Sequence, residues 1–316
     1  MFVGGAAAAW PHAMHAQEVG RIYRLGLMTS SLKIAASPIT AFFDELGMFG
    51  FVEGQNLKID GGYGLRDEQL PEIAAAMAKS PPDVIYCAGV PQMRAAQQAM
   101  SAVPIVGLNT DMIATGLVKS LAHPGGNITG ISLLSPELEG KRQDILIEAV
   151  PGARRMAMLA DANATGPQQL KALQDAARAH GVEFAVVTIR TPDDIVPAMN
   201  EIKTSGAAAI NVLSSPLLYG SRRLVIERAA ALRLPAIYEW AEMAEEGGLI
   251  GYGARLSGVF RQAARMAVKV LRGVKPADIP IEQPTNFELV INLKTAQAIG
   301  HEIPAGLVLR ANKVIE

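Results

Sequence analysis

A single cysteine, Cys87, rules out a disulfide within the chain. It sits in Val84-Ile85-Tyr86-Cys87, a continuous apolar run of the kind a buried strand shows, where a thiol packs as an inert small hydrophobe. Neither sign of charge is in excess: 29 Lys and Arg against 30 Asp and Glu leave a net charge of −1. With no basic surplus to neutralise phosphates, neither nucleic acid nor an anionic membrane is favoured as a partner. The apolar run at residues 1–10, MFVGGAAAAW, is too short to span a bilayer. The five histidines, His12, His15, His123, His180 and His301, never stand at metal-ligand spacing from a second His, Cys or carboxylate. There is no Gly-x-Ser-x-Gly elbow and no Walker loop. The first strand, residues 22–28, runs into Thr29-Ser30-Ser31 without the glycine turn that admits a pyrophosphate. Gly61-Gly62-Tyr63-Gly64 follows the second strand instead. The chain is therefore not expected to be an enzyme, nor to carry a cofactor or a metal.

What is present is enough hydrophobic residue, half of 316, for one or two domains with full cores. Residues 1–17, MFVGGAAAAWPHAMHAQ, differ from the rest and read as the remnant of a signal peptide cleaved after Ala16. No positively charged segment opens it, and a plain N-terminal tail is the other reading. No cysteine follows the apolar run, so a lipid anchor is not supported. From residue 22 the chain alternates strand and helix. Strands are expected over 22–28, 56–59, 83–87, 104–108 and 128–133, with helices over 38–49, 68–79 and up to 100. A second series follows, with helices over 137–150, 167–180, 193–205 and 218–232. Its strands are 155–160, 183–189, 207–213 and 235–238. Short strands over 247–253 and 287–291 flank a long amphipathic helix over 257–271. Such alternation implies parallel sheets with helices on both faces and right-handed crossovers. The organising stretch is 122–134, AHPGGNITGISLL: Pro124-Gly125-Gly126 breaks the chain, and Gly130 sits inside the β-branched strand that follows, where glycine marks a bend or a close backbone approach.

That stretch also carries a resemblance. HPGGNITG and the following SPELEGKRQDILIEAVPGARRMAML are similar to the substrate-binding proteins of an ABC transporter family with a type I periplasmic-binding-protein fold. FFDELGMFGFVEGQNLKID, PPDVIYCAG and the closing INLKTAQAIGHEIPAGLVLRANKVIE extend the match from Tyr23 to the end. The resemblance implies an α/β fold of two doubly wound parallel-sheet lobes joined by a three-crossing hinge. Lobe one would comprise 18–132 and 254–282, and lobe two 133–253 and 283–316. Glycine or proline stands at each crossing: Gly130, Gly253 and Pro284. Some members bind tryptophan or tyrosine, so an aromatic amino acid is among the ligands expected.

In open parallel sheets ligands sit beyond the carboxyl ends of the strands. Those ends carry Thr29, Ser30, Ser31, Gly89, Val90, Asn109 and Asp111 in lobe one, and Asp161, Asn163, Ser214, Ser215, Glu239 and Trp240 in lobe two. Hydroxyls and helix-start N–H groups around Ser30, Ser31 and Ser214 suit a carboxylate without placing a full positive charge in the cleft. Asp111 or Glu239 suits an ammonium group. Trp240 or Tyr252 would stack on an apolar body, although core packing accounts equally well for both. Ser, Asn and Asp at these positions also suit the capping of the helices that follow. The function expected is that of a periplasmic, monomeric solute receptor. It would bind a small carboxylated or zwitterionic ligand by hinge closure and deliver it to an ABC permease. A doubly wound enzyme acting on a sugar or nucleotide is the alternative, and the missing phosphate loops and catalytic dyads count against it. A transcription-regulator effector domain would need a helix-turn-helix before the first strand, and the opening twenty residues do not supply one.

Overall fold

The computed structural model describes residues 20–29, 39–133 and 135–316. The expected signal remnant and the candidates Ser30 and Ser31 lie outside the described residues. Sheet one has the order β2-β1-β3-β4-β5, all parallel. Its strands are β1 (Tyr23–Thr29), β2 (Leu57–Gly62), β3 (Val84–Ala88), β4 (Ile105–Asn109) and β5 (Ile128–Ser132). Helices α1 (Thr40–Met48), α2 (Leu70–Ala78) and α3 (Val90–Ala99) alternate with them. Burial on both faces explains the continuous apolar run of β3. Ile85 and Cys87 pack with Leu70, Ala74, Met77, Met93 and Ala96 of α2 and α3. Val84 and Tyr86 join Phe42 and Leu46 of α1 on the other face. Burial pushes the Cys87 thiol well above its usual titration range, as an inert core cysteine requires.

Sheet two follows, in the order β12-β11-β10-β9-β8-β6-β7. Its first part is α4 (Ser135–Ala149), β6 (Arg155–Asp161), α5 (Pro167–Ala179), β7 (Glu183–Ile189), α6 (Ile195–Thr204) and β8 (Ile210–Val212). Then come α7 (Pro216–Gly220), α8 (Arg222–Ala231), β9 (Ala236–Tyr238), α9 (Ala241–Glu245) and β10 (Ile250–Gly253). One face packs Met156, Met158 and Ala160 against Ile145, Leu146, Leu173 and Ala177 of α4 and α5. The other packs Leu159, Ile210 and Val212 against α6 and α8. The single helix expected over 218–232 is two, α7 and α8, because Ser221 leaves the helical region. The strand expected over 207–213 shortens to three residues.

After β10 the chain crosses back to sheet one as α10 (Leu256–Leu271). Leu256, Val259, Phe260, Ala263, Ala264 and Ala267 of α10 are buried, while Arg261, Arg265 and Lys269 face water. It packs along α1, and Arg265 pairs with Glu45 of that helix at 2.9 Å. Residues 279–282 then lie along β5: Glu282 N donates to Gly130 O (2.9 Å), Ser132 N to Glu282 O (3.0 Å) and Thr129 Oγ1 to Ile279 O (2.8 Å). The chain re-enters sheet two as β11 (Glu288–Asn292), followed by α11 (Leu293–Ile299), α12 (Ala305–Leu309) and β12 (Lys313–Ile315). Every pairing is parallel except β10 with β11. The exception follows from the path: β10 leaves at the end of the sheet where the crossings lie, and β11 enters from that same end. The two helices and the strand after β11 were not among the expected elements.

The chain thus passes between the sheets three times: after β5, after β10 and before β11. Arg255 ties the second passage to the third, holding Glu245 at 2.9 Å and Glu288 at 2.8 Å. At Gly130 (φ +144) a Cβ would lie 1.9 Å from Gly107 O, its register partner on β4. Glycine there permits a close approach of two backbones at the first passage.

Candidate functional site

Two strands of sheet two end side by side, and the chain beyond them builds a pocket. Beyond β8 stands Ser214; beyond β9 stand Glu239 and Trp240. The first turns of α4 cover them with Leu138 and Arg142, and Leu133 and Ala254 of the first two passages complete the wall. These seven residues line a small pocket, partly open to solvent.

The charged residues in and around the pocket are almost fully buried. Glu239 is 5 % exposed, Arg142 2 % and Glu139 0 %. Ser214 Oγ donates to Glu239 Oε2, and Ser214 N donates to Glu139 Oε1 at 2.7 Å. Arg142 Nε donates to Tyr252 O (2.8 Å), Nη2 to Glu239 O (3.2 Å), and Nη1 stands 3.0 Å from Glu139 Oε1 without hydrogen-bond alignment. The guanidinium thus meets the carboxylate of Glu139 and the backbone carbonyl of Glu239, while the Glu239 carboxylate takes the Ser214 hydroxyl. Burial raises the Glu139 carboxyl, with the Arg142 charge and the Ser214 N–H opposing it. Burial also raises Glu239, to about 7; Ser214, Arg142 and Trp240 pull it down and the charge of Glu139 pushes it up. Near neutrality Glu239 is therefore poised between the acid and the carboxylate.

Glycines let the backbone close around this cluster. A Cβ on Gly253 would stand 2.0 Å from Glu239 O and 3.6 Å from Arg142 Nη2, and one on Gly251 would stand 2.4 Å from Trp240 O. Trp240 is buried and meets Tyr219 edge-on at 6.3 Å. Tyr252 does not line the pocket; its ring tilts against Phe287 at 6.5 Å, and its contribution is the carbonyl that Arg142 holds.

Among the sequence candidates the pocket gathers Ser214, Glu239 and Trp240. Ser215 caps α7, its Oγ accepting from Leu218 N at 2.9 Å. Asp161 Oδ1 accepts from Asn163 N at 2.9 Å in a local turn. In sheet one, Asp111 Oδ1 accepts from Ile113 N and Ala114 N (2.9 Å each), and Asn109 Nδ2 donates to Asp111 O (3.1 Å). Gly89, with φ +112, opens α3, which begins at Val90. Thr29 is buried at the end of β1. None of these lines the pocket. The expectation of a cleft free of full positive charge is corrected by Arg142, which lies within the helix after the first passage and which the strand-end rule does not reach. No group of three metal-ligating side chains is found among the described residues, and no helix among them is long and apolar enough to cross a membrane.

Comparison with known proteins places this geometry in context. The family model for ABC transporter substrate binding proteins matches residues 39–315. A tyrosine-binding protein of Clostridioides difficile (strain R20291) is 28% identical over 265 residues, covering 82% of this chain and 75% of that protein. The crystal structure of an ABC domain in complex with L-Trp from Streptococcus pneumonia overlays with a TM-score of 0.83 at 22% identity, covering 93% of this chain and 100% of that one. A ligand-free, open substrate binding protein with adhesive properties from Clostridium difficile overlays with a TM-score of 0.66 at 24% identity, covering 93% and 99%.

Proposed function

Because the chain belongs to the ABC transporter substrate-binding protein family, whose members bind solutes outside the cytoplasm rather than transform them, we propose that it captures an aromatic amino acid in the pocket around Glu239. The observation that carries this reading is the buried carboxylate of Glu239, placed beside a buried indole and held by the Ser214 hydroxyl, while the Arg142 guanidinium pairs with Glu139. Glu239 takes the ligand's ammonium group; charge-assisted hydrogen bonds of this kind are the strong ones. Trp240 faces the side chain. The ligand carboxylate takes hydroxyl and N–H donors, Ser214 among them, with sheet-one donors at Thr29, Ser30, Ser31, Gly89, Val90 and Asn109 brought over by closure. The relatives named for tyrosine and bound to L-Trp support the aromatic class.

Residues 18–132 with 254–282 act as one lobe and 133–253 with 283–316 as the other, closing about the three passages. The loaded protein docks as a monomer on an ABC permease, in the periplasm. Isothermal calorimetry with L-tryptophan and L-tyrosine tests the reading. The same acids without the amino group are expected to lose affinity more than the same amines without the carboxyl group. Equal loss, or tighter binding of the deaminated acids, overturns the assignment of Glu239 to the ammonium.

A further inference from the structure

We propose that Arg142 is a positioning residue: it sets the pocket carboxylate of Glu239 by clamping the chain segments that carry it, and does not itself touch the ligand. The inference rests on the reading that Glu239 is the ligand's partner. Arg142 is an obvious candidate to hold a ligand carboxylate, since a planar guanidinium suits that task. Its three nitrogens already face protein oxygens, two of them in hydrogen bonds to backbone carbonyls and Nη1 in an ion pair without hydrogen-bond alignment. Nε is used by Tyr252 O, Nη2 by Glu239 O, and Nη1 faces Glu139 Oε1. Arg142 is 2 % exposed and Glu139 is fully buried.

The commitments fall on the pocket's own frame. Glu139 and Arg142 stand three residues apart on one side of α4. Through Glu139 that turn holds the backbone of Ser214, beyond β8; through Arg142 it holds Glu239, beyond β9, and Tyr252, within β10. Ser214 and Glu239 are also the two residues that meet in the pocket through their side chains. One helical turn therefore fixes both members of the recognition pair, and it starts just after the first passage while Tyr252 stands just before the second. Gly253 is part of the same device, since any Cβ there would overlap the Glu239 carbonyl that Arg142 grips. The charged and titratable groups facing Glu239 are Arg142 and Glu139 from α4 and Tyr219 from α7, with Ser214 and Trp240 as neutral donors. Arg142 is the positive one among them, so it tunes the proton on Glu239 as well as its place.

The test compares Arg142→Lys, Arg142→Gln and Glu239→Gln with the parent. Affinity for L-tryptophan and L-tyrosine is measured by calorimetry, and the titration of Glu239 in the ligand-free protein by carbon NMR of glutamate-labelled samples, with Glu239→Gln assigning the signal. Arg142→Lys keeps the charge and loses the fork, and is expected to weaken binding about tenfold or more while the fold, checked by circular dichroism, is kept. Arg142→Gln is expected to move the Glu239 titration upward, and Arg142→Lys to restore most of that shift. Parent-like affinity and an unmoved titration in both folded Arg142 variants overturn the proposal. So does a crystal structure of the parent with L-tryptophan in which Arg142 contacts the ligand, and that structure decides if the variants fail to fold. If Glu239→Gln binds as the parent does, the reading of Glu239 fails, while the ligand-free titration still judges the clamp.

Discussion

Protons and ligand compete for Glu239, and the size of the competition follows from its burial. The free carboxyl, pushed up to about 7, holds a proton in roughly half the molecules at neutral pH. A ligand ammonium requires the ionised form, so binding below neutrality must expel that proton. The sign is then fixed: affinity rises with pH through the neutral range and levels off above it. Relative to its plateau, binding should fall about twofold at pH 7, about tenfold at pH 6 and about a hundredfold at pH 5, equivalent to about 1.4 kcal/mol for each decade. Calorimetry of L-tryptophan in buffers of different ionisation enthalpy counts the protons released. About nine-tenths of a proton is expected at pH 6, about half at pH 7 and almost none at pH 8.5. In Glu239→Gln the pH dependence should vanish together with most of the affinity, since a charge-assisted contact worth about 1.5–3 kcal/mol is lost. An affinity flat from pH 5 to 8 in the parent would refute the argument, because no ligand could then be drawing on the carboxylate form.

The same carboxyl makes the ligand-free protein pH-sensitive in the opposite direction. Its raised folded pKa contributes stability that is complete below the ordinary carboxylate range near 4.5 and is lost as pH climbs through about 7. Thermal unfolding should therefore find Glu239→Gln more stable than the parent at pH 8, by up to about 3 kcal/mol, and close to it at pH 5; a parent at least as stable as the variant at pH 8 would contradict this. Gly253→Ala should push Glu239 O away from a Cβ built 2.0 Å from it, costing at least tenfold in ligand affinity, checked by calorimetry on protein shown to be folded. Gly130→Ala meets both a left-handed backbone and Gly107 O at 1.9 Å, and chemical denaturation should report about 3 kcal/mol or more of lost stability. Small-angle scattering should show the radius of gyration fall on adding saturating L-tryptophan; an unchanged value argues against lobe closure.

The extent of what could be read in the chain differs between its two kinds of signal. Alternation of apolar strands with helical spacing located the elements of both sheets well, since burial on both faces leaves runs such as 84–87 that few other structures explain. It missed α9, α11, α12 and β12, each seven residues or fewer, too short for a period to declare itself. Strand ends were equally legible, but what each end does was not. Ser215 and Asp111 carry the same small polar chemistry as Ser214, yet they turn back to cap local N–H groups, and only tertiary packing separates a cap from a wall. Arg142 escaped for a different reason. In the run Glu139-Gly140-Lys141-Arg142-Gln143-Asp144 its charge reads as one more solvated helix residue. The clue lies in phase: Glu139, Arg142 and Gln143 share a helical side with Ile145, Leu146 and Ala149, which are buried against sheet two. A charged pair on the apolar stripe of a helix must find partners there or unfold it. In α4 those partners are the chain segments at the ends of three neighbouring strands, so a residue outside every strand end is what holds the strand ends together as a site.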